Sequence, residues 1–205
     1  MGQIKITTHK NQDILGYETG YAEKPPLLIL SDNWGQTQSV LNLADRLGHK
    51  GFRVLALDYM RMLADNEFAA NKNMAKIDRV DVTEIFIPEA LKLLGPAHVL
   101  GIGFGSSLAM LASNTCRDIL SLISIHGLPP AGTVKPLKIP QFIVRANKSL
   151  HDRQTLVDHY TSTNPLAQTT SLVVDLGYLN EGSPAFDHQR MRTTVDLVAN
   201  FIKKL

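Results

Sequence analysis

Polar and apolar positions alternate twice near the start of the chain, in Gln3-Ile4-Lys5-Ile6-Thr7-Thr8 and in Ile14-Leu15-Gly16-Tyr17-Glu18-Thr19. A period of two puts every second side chain on one face, so the pair predicts an N-terminal antiparallel hairpin. The pattern then changes. Leu27-Leu28-Ile29-Leu30 is an unbroken apolar run, the mark of a strand covered on both faces. Over 36–49 the residues Val40, Leu41, Leu43, Ala44 and Leu47 recur at helical spacing, and Gly51 follows. Residues 52–57 form the next strand, and 80–94 a helix that Pro88 must kink or restart.

A strand at 99–102 feeds an apolar helix at 106–116. Three short strands follow at 120–125, 141–144 and 171–174, with a helix at 154–159 between the last two. Residues 185–203 form an amphipathic helix with Met191, Val195, Leu197, Val198, Phe201 and Ile202 turned inward. The polar, Asn-rich stretch 61–76 is a loop or a short helix. Strand alternating with helix predicts an α/β fold: one domain over 1–205, a doubly wound and mostly parallel sheet covered on both faces.

Composition narrows the function. Hydrophobic residues make up 44% and charged residues 20% of the chain, ordinary for a globular domain. A net charge of +2 with dispersed basic residues argues against nucleic acid as a partner. The single Cys116 excludes an internal disulfide. Neither an apolar run long enough to span a membrane nor a secretory apolar segment is present, so a cytoplasmic protein without membrane insertion is expected. His151 and His159 lack the spacing of zinc ligands, and neither a metal nor a cofactor is expected.

The candidate chemistry lies where the strand at 99–102 meets its helix. Gly101-Ile102-Gly103-Phe104-Gly105 has the form of a nucleophile elbow, G-x-Nuc-x-G, a sharp turn that exposes a serine or cysteine. Here a glycine holds the central position. Two other strand ends stand in register with it: Leu30-Ser31-Asp32-Asn33-Trp34-Gly35 and Leu57-Asp58-Tyr59. Together the three segments resemble the dienelactone hydrolase branch of the α/β-hydrolase fold, small enzymes that open ester or lactone bonds. The resemblance runs over nearly the whole chain.

That resemblance implies roles for individual positions. Asp32 matches an acidic residue near the nucleophile, and the N–H groups of Asn33 and Phe104 match the oxyanion hole. Trp34 and His126 would lie at the pocket. Gly103 stands at the nucleophile, and the family's acid and histidine fall near Ser149 and Tyr178, so no complete triad assembles on this frame. Leu57 replaces the family's proline.

Losing a triad nucleophile costs about a millionfold in turnover. The leading expectation is therefore a catalytically inactive pseudoenzyme, serving as a structural or protein-interaction subunit, with Trp34 or Tyr59 as exposed anchors for a partner or larger assembly. Two alternatives stand beside it. One is a binder of small acidic or carbonyl ligands in the vacant pocket, with Arg61 adding charge. The other is a weak ester or lactone hydrolase with a shifted nucleophile, Ser106 or Cys116.

Overall fold

The computed structural model describes residues 2–127, 136–146, 151–175 and 177–205, without the side chains of 151–156. Its centre is an eight-stranded sheet in the order β1-β2-β4-β3-β5-β6-β7-β8. The hairpin is β1 (Gly2–Thr7) and β2 (Asp13–Thr19), paired antiparallel, and β2 joins the rest antiparallel through β4 (Arg53–Asp58). All other neighbours are parallel: β3 (Pro26–Leu30), β5 (Ala97–Ile102), β6 (Ile119–Ile125), β7 (Gln141–Ala146) and β8 (Ala167–Leu172).

The apolar runs follow from burial on both faces. Along β3, Leu28 and Leu30 join a core with α4 (Ile87–Leu94) and α5 (Phe104–Ala112), while Leu27 and Ile29 join a second core with α1 (Gln38–His49) and α7 (His188–Ile202). Successive strand residues point to opposite faces, so a strand between two helical layers has little room for a polar side chain that lacks a partner.

Two boundaries differ from the sequence expectation and one open choice is resolved, each for a physical reason. Pro88 does not end its helix. The turn before it, Val82–Phe86, widens into π geometry between a short α3 (Arg79–Asp81) and α4, and the Ile87 N–H reaches back to the Val82 carbonyl. An extra residue in that turn takes the chain past the ring without a lost bond at position 88. The last strand covers 167–172 rather than 171–174, because β8 is a sheet edge and the Ala-Gln-Thr-Thr-Ser run leaves mostly polar side chains in water. Within 61–76 lies α2 (Glu67–Met74), capped by the Asn66 side chain accepting from the Ala69 N–H at 2.8 Å. The remaining helix, α6, spans His151–Thr163. Among the described residues no helix is long and apolar enough to cross a membrane.

Chain order and sheet order part company between β3 and β5. From β3 the chain steps outward to β4, then crosses back to β5 on the other side. That reversal opens a crevice at the carboxyl ends of the two strands, where α/β sheets place their ligands.

Candidate active site

The turns after β3 and β5 flank this crevice. Gly103 closes β5 with φ 51° and ψ −113°, and α5 starts at the next residue. Only glycine takes that backbone without strain, and the bend is that of an elbow presenting its central residue. Gly105 is required for a different reason: a Cβ there would press on the Leu30 and Ser31 carbonyl oxygens. The elbow is pinned from the other side by the Gly103 N–H, which donates to the Ile125 carbonyl at 2.7 Å. Phe104 and Gly105 open α5, so no carbonyl of the helix precedes them to accept their N–H groups.

Asp32 faces the elbow across the crevice. A Cβ built on Gly103 would stand 3.2 Å from the Asp32 Cβ, so the space a nucleophile side chain would enter borders the Asp32 side chain. Burial pushes the Asp32 pKa up to about 6, only partly offset by hydrogen bonds from the Trp34 and Asp32 backbone N–H groups. The Trp34 N–H donates to Oδ1 at 3.0 Å, and the Gly35 N–H to the Asp32 carbonyl at 3.2 Å, which fixes the turn. Asn33 donates its side-chain amide to Asn71 on α2 at 3.0 Å, and the Ala64 N–H donates to the Trp34 carbonyl at 3.1 Å. The stretch after β4 is therefore tied down beside the turn, a contact that sequence pattern does not disclose.

His126 closes β6, the strand on the far side of β5, with φ 63°. Its ring packs edge-on to Tyr178 with centroids 4.8 Å apart. Tyr178 is fully buried and its hydroxyl pairs with Thr194 at 2.6 Å, so it belongs to the core beneath the crevice. Ser149 lies outside the described residues.

The shifted nucleophiles do not hold. Ser106 is buried and its Oγ donates to the Gly101 carbonyl at 2.6 Å, stitching the elbow together instead of facing a substrate. Cys116 is half-buried beyond the far end of α5, and burial raises its thiol pKa. Tyr59 is not an exposed anchor either: its ring is buried and its hydroxyl donates to the Ser31 carbonyl at 2.7 Å. Trp34 is half-buried. The Arg61 guanidinium lies over the Phe86 ring, 5.3 Å from its centroid.

No protein-family model and no curated protein matches this chain. Solved structures do. A protein assigned as a dienelactone hydrolase from Klebsiella pneumoniae superposes with a TM-score of 0.82 at 11% identity, covering 100% of this chain and 98% of its own. A dienelactone hydrolase-like promiscuous phosphotriesterase from metagenomic libraries gives 0.76 at 16% identity, over 99% and 98%. A CIB-like hydrolase from Thermoplasma acidophilum gives 0.72 at 15%, over 97% of each chain. The chain has the α/β-hydrolase fold.

Within that fold, the expectation of a catalytically inactive structural or protein-interaction subunit is corrected. The structures it matches over nearly their full length are hydrolases.

Proposed function

We propose that the protein is a slow hydrolase of small esters or lactones, related to the dienelactone hydrolases, in which Asp32 activates water in place of a side-chain nucleophile. The observation that carries this reading is the Asp32 side chain bordering the space above Gly103, its Cβ 3.2 Å from where a Gly103 Cβ would stand. A glycine there leaves room for a water molecule where a serine or cysteine would otherwise reach. With a pKa of about 6, Asp32 is mostly ionised at neutral pH yet basic enough to accept a proton.

Asp32 takes a proton from water as the oxygen attacks the substrate carbonyl carbon. The charge forming on the carbonyl oxygen is met by the N–H groups of Asn33 and Phe104, donors fixed by the turn and the helix start. The tetrahedral intermediate then collapses and expels the alcohol. A general base of this kind contributes about 10²–10⁴-fold, well short of a full triad, so turnover is slow.

The test is hydrolysis of p-nitrophenyl acetate by purified protein and by Asp32→Asn, with a fluorophosphonate probe run in parallel. The expected outcome is measurable turnover, a loss of about a hundredfold or more in the variant, and no labelling of Ser106. Equal rates in both proteins, or a labelled serine, would overturn the reading.

A further inference from the structure

One stretch of chain is fastened to both walls of the crevice. Near its start, the Ala64 N–H donates to the Trp34 carbonyl at 3.1 Å. A Cβ added at Gly35 would stand 3.5 Å from the Leu63 Cδ2, so the Leu63 side chain lies beside the end of the Asp32 turn. Midway, Asn71 on α2 accepts from the Asn33 amide at 3.0 Å. At the far end, the Arg79 guanidinium of α3 lies over the Phe104 ring of the elbow, 5.4 Å from its centroid. Residues 62–79 thus run from the turn that carries Asp32 to the elbow that carries Gly103.

This stretch keeps two large apolar side chains in water. Leu63 is 68% exposed and Phe68 80%, the latter more than any other large apolar side chain among the described residues. Single exposed apolar residues are ordinary, but two on a short stretch fastened to a candidate site mark a contact surface. The packing of α2 does not use Phe68, because the helix buries Ala70 and Asn73 on a different face. Phe68 precedes Asn71 by three residues, and residues at that spacing are neighbours on a helix surface. It therefore shares the face that reaches Asn33, the residue after Asp32.

We infer that Leu63 and Phe68 bind the apolar acyl chain of the substrate, which is an ester of a medium-length fatty acid. This rests on the hydrolase reading above, which places the ester carbonyl between the two ends of the stretch. An acyl chain longer than acetyl covers this surface and removes it from water. Each methylene so buried favours binding about fourfold.

The experiment compares kcat/KM for p-nitrophenyl hexanoate and p-nitrophenyl acetate, which share a leaving group. The proteins are wild type, Phe68→Ser, Leu63→Ser, the double variant, Tyr21→Ser and Asp32→Asn. Tyr21 is the control: it is also 68% exposed, but it precedes β3 and so lies at the opposite end of that strand from the crevice. Hexanoate should be favoured at least about tenfold in wild type and Tyr21→Ser, and less than about threefold in the double variant, with each single variant between. A second readout needs no turnover. Trp34 is the single tryptophan and sits in the Asp32 turn, so its fluorescence follows titration with hexanamide and acetamide. Hexanamide should bind at least about tenfold more tightly, an advantage lost in the double variant.

Equal rates on the two esters, equal binding of the two amides, or a preference that survives in the double variant would overturn the inference. So would self-association in sedimentation that disappears in Phe68→Ser, since the surface would then serve a second copy of the chain. If Asp32→Asn slows neither ester, the water-activation reading fails, and the chain-binding surface stands or falls on hexanamide alone.

Discussion

β3 and β4 lie side by side, run parallel, and each leads into an aspartate, but the two carboxylates meet different surroundings. Burial raises the pKa of both. At Asp58 the rise is opposed by Arg61 twice over, through a backbone N–H at 3.0 Å and through the guanidinium charge. At Asp32 the opposition comes from backbone N–H groups alone, and the pKa settles at about 6. One aspartate at a strand end has its rise eased by a neighbouring cation and serves as a turn anchor. The other, without that cation, is poised near neutrality, the condition a general base requires.

The sharpest way to break this contrast is the pH dependence of the rate. If Asp32 is the base, kcat/KM for p-nitrophenyl acetate should be flat above about pH 7 and fall tenfold per unit below about pH 6, roughly a hundredfold by pH 4. An acid limb that persists in Asp32→Asn would assign it to another group, Asp58 first among them.

Stability gives the next test, and its sign is opposite to that of an ordinary salt-bridged carboxylate. The folded-state pKa of Asp32 lies above the unfolded value, so the folded protein binds the proton more tightly. The contribution of this group is most favourable below pH 4 and is lost as pH rises through about 6. The penalty at pH 7 is about 2–3 kcal/mol for a shift from 3.8 to about 6. Asp32→Asn should therefore raise stability in urea at pH 7 by up to about that amount, with the gain fading toward pH 4. A variant that is less active and more stable is the signature of a functional group held at a cost.

The sequence disclosed the frame better than the chemistry. The hairpin alternation, the doubly apolar β3 and the glycine-rich elbow are local patterns, and each lies where its pattern places it. The strand β8 was displaced because an edge strand carries little hydrophobic signal. The π turn before Pro88 is invisible to a rule that knows only helix or break. The site resisted most. Glycine at position 103 suggests an empty site when read along the chain. Asp32 comes from 71 residues earlier, and only the switch in strand order, which sets β3 beside β5, brings it to the elbow. Ser106 looked available because it is close in sequence, whereas the helix start turns its hydroxyl into the elbow.

At the elbow itself, Gly103→Ala tests whether the turn is as strained as its dihedrals require. A Cβ at φ 51° and 3.2 Å from the Asp32 Cβ has to be accommodated by backbone shift. The expected cost in urea denaturation is about 1–3 kcal/mol. Activity should fall as well, because the methyl group intrudes on the water beside Asp32.

The smallest expected effect completes the comparison. Asp58→Asn removes a half-buried charge and, with it, the attraction to the Arg61 guanidinium. The lost attraction and the relieved desolvation oppose one another, and the amide oxygen still accepts from the Arg61 N–H. Stability should therefore move by less than about 1 kcal/mol, and turnover should stay within a few fold of wild type. If Asp58→Asn instead slowed ester hydrolysis as severely as Asp32→Asn, compensation by a cation would not be what separates the two strand ends. The base would then have to be sought in the pair of carboxylates acting together.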